Sequence, residues 1–508
     1  MLRFVFGRNG SGKTEYVRKL LSEKLLAGEK GLILIVPEQF SFETERAMLE
    51  KVGPKNMLNL EILSFSRLAE TVLSQFSPGD KPKIDDGTRA VLMSLALEAL
   101  GENAEIYKKF INRPALLQSL VTFSTELKQC AVSADQLEKA GETLPDGTLK
   151  HKLSELSKIT DLYNALVHDR FSDDTDLLTR LAEIIPEIDY FDGKTVVLDT
   201  FCGFTKQERN VIAAMLRRCK DVYITLCMDA VKAEDTLLFD NIRDEAEKLK
   251  RVCAENSVPV AKPVVCLAAE DTKTPELRTL EANVFRSKKE KYSEIPAGLQ
   301  IFSAANRTDE SDFVAREIRK LLREQNYRAG EIAVIARKKD TYDHELNAAF
   351  QKFGLPFFED KRQPVNMQPL MQMISGLLDM AADGITTEVL LRYLKTGLAG
   401  LAADETADLE NYAIMWNIDR AKWRSDFTGN PAGLGQVMQE REEKKLARLN
   451  ELRRRAVGPV LAFRKEFETA SGLDKSRMLY DFLQAVHAGE SLKTLAQQLA
   501  SNGQTAVA

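Results

Sequence analysis

The sequence predicts an α/β fold built on a parallel sheet, and three neighbouring stretches near its start carry this prediction. Leu2–Phe6 and Gly31–Val36 are short apolar runs that indicate buried strands. Between them, from Lys13 to about Leu26, apolar residues recur at helical spacing. A strand, a glycine-rich turn, a helix and a second strand form a βαβ unit. Unbroken apolar strands are typical of a parallel sheet that is covered on both faces.

Length and composition predict several domains of an ordinary globular protein. The chain has 508 residues, 44% hydrophobic and 29% charged, whereas one core rarely serves more than about 250–300 residues. The formal net charge of −5 excludes a uniformly basic surface for nucleic acid, although phosphate contacts need only a local cluster of Lys and Arg. No apolar run reaches the roughly 18–20 residues of a membrane span, so we expect a cytoplasmic protein with no membrane partner.

The cysteines and histidines do not indicate a metal site. The six cysteines are scattered without a CxxC pair, and none of the four histidines has zinc-ligand spacing. We expect buried free thiols, as in a reducing compartment. The residues are Cys130, Cys202, Cys219, Cys227, Cys253, Cys266, His151, His168, His344 and His487.

A long helical pattern interrupts the first α/β domain. From 81 to 185 the apolar residues keep three- and four-residue spacing, as in Thr88–Leu100, Pro114–Lys128 and Leu153–His168. Strand patterns return at Thr195–Leu198 and Val222–Leu226. We therefore predict one α/β domain formed by 1–80 and 186–296, with a helical domain at 81–185 inserted into it.

A second α/β unit is predicted over 297–370. Leu299–Ala304 and Glu331–Ala336 have strand patterns, and Val314, Ile318 and Leu321 lie on one face of the helix between them. His344–Phe353 is predicted to be another helix, which ends at Gly354. The remaining residues, 371–508, have a helical pattern. We expect the chain to stop before this architecture is complete.

The strongest functional signal is a P-loop pattern immediately after the first strand. Its glycines let backbone N–H groups converge on a β-phosphate, and the following helix adds the positive end of its dipole. Lys13 is expected to neutralise the β- and γ-phosphates, and the Thr14 hydroxyl to bind Mg²⁺. A glycine-rich turn that binds no nucleotide is the alternative. The residues are Gly7, Arg8, Asn9, Gly10, Ser11, Gly12, Lys13 and Thr14.

A second metal ligand is predicted at the end of the Thr195–Leu198 strand. Asp199 stands where P-loop enzymes place an Asp that binds Mg²⁺, but Thr200 occupies the position of the usual water-activating Glu. A neutral hydroxyl is a poor general base, so the site is predicted to bind ATP better than it hydrolyses it. The alternative is that Asp199 only caps a turn.

Several segments resemble one protein family. LDTFCGFTKQE (Leu198–Glu208) is similar to the motif II region of UvrD-like superfamily 1 helicases, in a form that looks like AddB. LIVPEQFSFETE (Leu34–Glu45) resembles motif Ia, and ILSFSRLAE (Ile62–Glu70) resembles the next DNA-side motif. IAVIARKKDTYDHEL (Ile332–Leu346) resembles motif IV, and DLENYAIMWNIDRAKW (Asp408–Trp423) looks like the helical 2B region of AddB.

The resemblance implies a P-loop NTPase with RecA-like domains of the superfamily 1 type. Domain 1A would be 1–80 and 186–296, with 81–185 as domain 1B, 297–370 as the first part of domain 2A, and 371–508 as an incomplete domain 2B. It also implies ATP and Mg²⁺ as cofactors, an AddA-type helicase–nuclease partner, and binding of single-stranded and double-stranded DNA ends during recombinational repair. The family's nuclease domain and its iron–sulfur cluster would lie beyond residue 508.

The resemblance also suggests residues for the nucleotide and for DNA. Arg337 is a candidate γ-phosphate contact, or else a surface arginine at a strand end. Gln39, Ser64 and Phe65 follow strands at the edge where related helicases hold single-stranded DNA. Phe65 could stack on a base, or it could equally belong to the core, since Leu63 and Leu68 flank it.

Two other functions remain open from the sequence. A P-loop small-molecule kinase would need an arginine-rich lid and an acceptor pocket, and we find neither pattern. A truncated or split product that acts as a structural half is the non-enzymatic alternative, which the sequence does not separate from a natural short form.

Overall fold

The structure is a computed structural model that describes residues 1–79, 81–101, 106–107, 113–229, 238–267, 273–287, 289–359 and 365–501. Residues 502–508 of the predicted domain 2B therefore lie outside the described residues. The chain divides into two compact units, Met1–Phe302 and Ser303–Ala508, and each is described by itself. None of the described helices combines the length and the apolar character that crossing a bilayer requires.

A six-stranded sheet forms the centre of the first unit. Its order is β3-β2-β4-β5-β1-β6, and every neighbouring pair is parallel. The predicted parallel sheet is thus confirmed, with strands at all four positions that the sequence predicted for the first α/β domain. The strands are β1 Leu2–Gly7, β2 Leu32–Ile35, β3 Leu60–Leu63, β4 Thr195–Leu198, β5 Asp221–Cys227 and β6 Val264–Val265.

Helices cover both faces of this sheet, which explains its continuous apolar strands. Side chains alternate along β2: Leu32 and Leu34 pack in one cluster with helices α1 and α2, whereas Ile33 and Ile35 pack in the other with α3, α8, α9 and α10. These helices are α1 Lys13–Leu26, α2 Ser41–Met57, α3 Phe65–Phe76, α8 Leu177–Ile184, α9 Lys206–Arg218 and α10 Asp240–Glu255.

The inserted residues form helices with a core of their own. Ile84, Met93, Leu97, Ile159 and Tyr163 are buried together in this core. The helices predicted at Thr88–Leu100, Pro114–Lys128 and Leu153–His168 are confirmed. The structure has α4 Asp86–Leu100, α5 Pro114–Gln129, α6 Ala134–Glu142 and α7 Thr148–Arg170, and α11 Pro275–Asn283 follows β6.

The described part of the second unit contains helices only. Most of them pack around one core that buries Trp423 completely, while α12 and α13 share a smaller core with Ala315, Ala349 and Phe350. The helices are α12 Arg307–Glu324, α13 Asp343–Phe353, α14 Pro369–Asp383, α15 Thr387–Leu394, α16 Ala403–Met415, α17 Glu440–Phe467, α18 Gly472–Ala485 and α19 Ala488–Ser501.

The strands predicted at Leu299–Ala304 and Glu331–Ala336 are wrong for the described structure. Neither segment is assigned to a strand, and Ile301 and Ile335 are 94% and 93% exposed. A strand requires a neighbour that pairs with its backbone N–H and C=O groups, and neither segment has the ladder that such a neighbour would give. An apolar alternating pattern is therefore not enough to form a strand here.

The thiols are free, as expected, but not all of them are buried. Cys219 and Cys253 lie in the core of the first unit, where burial raises the pKa of the Cys219 thiol to about 12. Cys130 and Cys202 are exposed, so the expectation of uniformly buried thiols is wrong for these two.

A buried carboxylate joins the inserted helices. Asp173, only 5% exposed, accepts hydrogen bonds from Arg89 of α4 at 2.8 Å and from Lys128 of α5 at 2.9 Å. Burial by itself would raise the pKa of the Asp173 carboxyl. The charge of Lys128 and hydrogen bonds from Lys128 and Thr175 outweigh burial and lower the pKa to about 2.

We expect Asp173→Asn to lower the free energy of unfolding by about 2–4 kcal/mol at pH 7. It removes the carboxylate that two largely buried cations share and leaves each of them only a more exposed partner, Asp86 or Asp176. The folded pKa of about 2 lies below the ordinary 3.8, so this stabilisation is present above about pH 4 and is lost as the pH falls towards 2. Urea unfolding of both proteins at pH 7 and pH 3 measures the difference, which should shrink at the lower pH.

The matched control is Asp135→Asn, which removes an exposed carboxylate that pairs with Lys139 on the surface of α6. It should change the free energy of unfolding by about 0.5 kcal/mol or less. Equal effects of the two substitutions at pH 7 would contradict the role given to Asp173.

Candidate nucleotide-binding site

The glycine loop (Gly7–Thr14) connects the end of β1 to the start of α1, as the sequence predicted. Gly10 and Gly12 have φ angles of 76° and 83°, in the left-handed region that glycine enters without the strain of a Cβ atom. The chain thereby reverses direction within a few residues and enters the helix at Lys13.

Gly7 is required by the close approach of its neighbours. A Cβ atom on Gly7 would lie 2.1 Å from Ser11 Oγ and 2.7 Å from the Cys266 carbonyl oxygen. The Cys266 N–H also donates to the Phe6 carbonyl at 2.8 Å, so the backbone that follows β6 is held against this point. Only a residue without a side chain fits there.

The loop presents hydrogen-bond donors that suit an anion. The N-cap of α1 is Gly12, which supplies no side-chain hydrogen bond to the N–H groups of the first turn. The Ser11 hydroxyl is buried, with the residue 7% exposed, and has no hydrogen-bond partner in the described residues. An uncapped helix N-terminus beside an unpaired buried hydroxyl fits a phosphate group.

Two cations lie on the loop. Lys13 Nζ donates to the carbonyl oxygens of Gly7 at 2.8 Å and Arg8 at 2.9 Å. Arg8 instead donates to both carboxylate oxygens of Asp229, at 2.5 and 2.7 Å, and the hydrogen bond to Asp229 raises the Arg8 pKa. Lys13 can therefore exchange carbonyl partners for phosphate, whereas Arg8 is already paired with a carboxylate.

Asp199 lies at the same edge of the sheet as the loop. Parallel strands bring their carboxyl ends together, and only β5 separates β4 from β1. Neighbouring strands are about 4.8 Å apart, so β4 and β1 run about 10 Å apart across the sheet. Leu198 is in register with Phe4 through Ile224, so β1 extends three residues further than β4. The prediction that Asp199 follows a buried strand is confirmed, while its role as a metal ligand stays a prediction.

A chain of hydrogen bonds holds the Asp199 carboxylate. Thr225 of β5 donates its hydroxyl to Asp199 Oδ1 at 2.6 Å and accepts from the Thr200 N–H at 3.2 Å. Thr200 has a φ of 67°, which strains a β-branched residue by about 1–3 kcal/mol. Asp199 is 3% exposed, so its position is fixed by a neighbouring strand and is not that of a solvated turn residue.

The three DNA candidates differ in accessibility. Gln39 is exposed, whereas Ser64 is buried and accepts from the Arg67 N–H as the N-cap of α3. Phe65 is 5% exposed and packs edge-on against Phe201, with ring centroids 5.5 Å apart. This placement favours the core alternative for Phe65, because stacking on a base would require the ring to leave the core.

Exposed aromatic side chains lie nearby instead. Phe40 and Phe42 follow β2 at the carboxyl edge and are 38% and 74% exposed. The sequence analysis named Gln39 beside them and missed both rings. The sequence feature that could have indicated them is the pair of phenylalanines three and five residues after Pro37, which ends the strand pattern.

The remaining residues divide between the two units. Arg337 lies in the second unit and is exposed, so its contact with a γ-phosphate stays a prediction. The sequence analysis missed Thr225 and Asp229 of the first unit. Thr225 is a hydroxyl inside an otherwise apolar buried strand, a signal that could have been used, but no local pattern pairs Asp229 with Arg8.

Comparison with known proteins identifies the family. The family model described as "ADDB, N-terminal" matches residues 4–281, which is more than half of the chain. The chain belongs to this family. The match spans the glycine loop, the sheet from Phe4 of β1 onward, and the inserted helices, so the AddB resemblance predicted from the sequence is confirmed.

Relatives in the AddB family extend the similarity over both units. The B-type subunit of an ATP-dependent helicase/deoxyribonuclease from Acetivibrio thermocellus is 30% identical over 99% of this chain and 45% of its own length. Proteins with the same name in Clostridium acetobutylicum and Clostridium novyi are 28% and 29% identical over the whole chain, and over 45% and 44% of their lengths. The chain thus spans a little under half the length of these relatives.

We expect Gly7→Ala to lower the free energy of unfolding by about 1–3 kcal/mol, because the added methyl group overpacks the contact between β1 and the backbone after β6. Gly203→Ala is the matched control, since a Cβ there would meet nothing within 4 Å. Thermal and urea unfolding of the two variants measure the difference. Equal stability of both variants would show that a Cβ atom at Gly7 does fit beside Ser11 and the Cys266 carbonyl.

Proposed function

We propose that this chain binds ATP with Mg²⁺ through the glycine loop, as the helicase-like part of a subunit in an AddAB-type helicase–nuclease. In this proposal it handles single-stranded DNA during the resection of double-strand breaks. The observation that carries the nucleotide site is the unpaired, buried Ser11 hydroxyl beside the uncapped N-terminus of α1.

The backbone and two side chains of the loop have different parts in the proposed binding. The backbone N–H groups at the start of α1 receive a phosphate, and Lys13 moves from the carbonyls of Gly7 and Arg8 onto it. Mg²⁺, when bound with ATP, would be held by the Thr14 hydroxyl and by Asp199, and would neutralise phosphate charge. Arg337 is proposed to contact the γ-phosphate from the predicted domain 2A.

ATP turnover by this site is proposed to be weak or absent. Thr200 stands where a general base would be needed, and its hydroxyl donates to the Asp199 carbonyl at 2.6 Å. A hydroxyl with that role cannot accept a proton from water at neutral pH. Binding without turnover suits a subunit that works beside an AddA-type motor.

Single-stranded DNA is proposed to lie along the carboxyl edge of the sheet, near Gln39. The exposed rings of Phe40 and Phe42 support this placement, because base stacking on an aromatic ring contributes about 1–3 kcal/mol per base. The net charge of −5 restricts phosphate contacts to local clusters, so binding should weaken with added salt but not depend on charge alone.

The partners and the remaining chemistry are proposed from the family. The relatives are named as a subunit of an ATP-dependent helicase/deoxyribonuclease, which supports a complex with an AddA-type subunit at DNA ends. Domains 1A, 1B, 2A and 2B keep the boundaries predicted from the sequence. The nuclease site and the iron–sulfur cluster are proposed to belong to the part of the relatives that this chain does not cover.

Lys13→Ala should weaken binding of ATP and Mg²⁺ by about 10–100-fold, because it removes a charge-assisted contact to phosphate. Lys19→Ala, on the exposed side of the same helix, should leave affinity unchanged. Titration calorimetry of both variants beside the unsubstituted chain measures this. If the unsubstituted chain shows no saturable binding, the nucleotide-binding proposal fails.

Phe42→Ala should weaken binding of a single-stranded oligonucleotide by about 5–100-fold through lost stacking. Leu58→Ala removes a similarly exposed apolar side chain that precedes β3, and so lies at the opposite edge of the sheet. Fluorescence anisotropy at two salt concentrations compares the two. Equal affinities of the two variants would remove Phe42 from the proposed DNA path.

A further inference from the structure

A third cation lies on the glycine loop, and the P-loop pattern does not include it. Lys273, just before α11, donates from Nζ to the Asn9 carbonyl oxygen at 3.2 Å and forms an ion pair with Glu281 of α11. Its Cε would be 3.5 Å from a Cβ placed on Gly10. The Lys273 ammonium group therefore lies against the tip of the loop.

Lys273 and Lys13 donate to carbonyl oxygens of consecutive loop residues. Lys13 bonds the carbonyls of Gly7 and Arg8, and Lys273 bonds the next carbonyl, that of Asn9. Two ammonium groups thus lie on three consecutive carbonyl oxygens. An anion with several phosphates that binds at Lys13 comes within reach of the second ammonium group as well.

The partner of Lys273 is easier to exchange than that of Arg8. Lys273 makes an ion pair with one carboxylate, and its side chain and that of Glu281 are 27% and 34% exposed. Arg8 donates to both oxygens of Asp229, which fixes its orientation. The Arg8 and Asp229 side chains are also partly exposed, at 29% and 18%. The difference between the pairs is therefore that two hydrogen bonds must break at Arg8 and one at Lys273.

We propose that Lys273 is a second phosphate-binding lysine, which exchanges Glu281 for the terminal phosphate of a nucleoside triphosphate. Glu281 holds the lysine at the loop tip before binding and competes with the ligand for it. The pair thereby favours a triphosphate over a diphosphate, since only the longer anion adds enough charge at the tip to displace the carboxylate. This inference rests on the proposed nucleotide site.

A purely structural ion pair between the loop and α11 makes a different prediction. Loss of either partner would then loosen the loop and weaken ATP and ADP alike. In an exchange, the two single substitutions have opposite effects: removing Lys273 takes away a phosphate contact, while neutralising Glu281 takes away a competitor. The sign of the Glu281 effect therefore separates the two roles.

The test is calorimetric titration of ATP and of ADP, each with Mg²⁺, into the full chain and its Lys273→Ala, Glu281→Gln and doubly substituted variants. Lys273→Ala should weaken ATP binding by about 5–20-fold, the value of one charge-assisted hydrogen bond, and ADP binding by less than about twofold. Glu281→Gln should strengthen ATP binding, and the gain should vanish in the double variant. Lys262→Ala, an exposed lysine that precedes β6, is the control.

The outcomes separate this inference from the function on which it rests. One outcome is that the unsubstituted chain binds ATP, Lys13→Ala does not, and Lys273→Ala binds both nucleotides normally. The role proposed for Lys273 would then be wrong, and the proposed nucleotide site would stand. Equal losses for ATP and ADP, together with a lower melting temperature of the nucleotide-free Lys273→Ala protein, would assign the pair a structural role. Absence of ATP binding to the unsubstituted chain would overturn both proposals.

Discussion

The candidate site depends on the close parallel packing of β5, β1 and β6 around Gly7. The Gly7 position is in register with Cys227 of β5, and the backbone after β6 approaches it so closely that no Cβ fits. The chain therefore leaves β1 at a point where neighbouring backbone is very close, and Gly10 and Gly12 turn it there with positive φ angles. The uncapped end of α1 and the Ser11 hydroxyl therefore lie at the carboxyl edge of the sheet, where β4 and β5 also end.

Each of the three cations at this edge already has a hydrogen-bond partner in the structure. Lys13 rests on backbone carbonyls, whereas Arg8 and Lys273 rest on the carboxylates of Asp229 and Glu281. If phosphate binds here as proposed, it would replace these partners, so the net gain in free energy would be smaller than for a cation without a partner. The same arrangement gives separate partners to three cations around one small loop, which would otherwise repel one another.

Two buried carboxylates of the first unit also have hydrogen-bond partners on other elements. Asp199 and Asp173 are both nearly fully buried. Asp199 accepts a hydrogen bond from one neighbouring strand, and Asp173 accepts hydrogen bonds from two helices. Thr225 fixes Asp199 from the neighbouring strand, at the cost of strain in Thr200, while Arg89 and Lys128 fix Asp173 between inserted helices. Buried carboxylates are tolerated only with such partners, and the partners in turn determine how the surrounding elements meet.

The sequence by itself determined what depends on neighbouring residues. The glycine loop, the strands β1, β2, β4 and β5, and the inserted helices all followed from local spacing and glycine placement, because those patterns act over a few residues. Tertiary structure decided the rest. Phe65 lies in the core because Phe201 packs against it. Lys273 donates to Asn9, which is 264 residues away in the sequence. Residues 331–336 form no strand, because a strand needs a neighbour with which its backbone can pair. Contacts between distant segments leave no local pattern, so only the folded chain could reveal them.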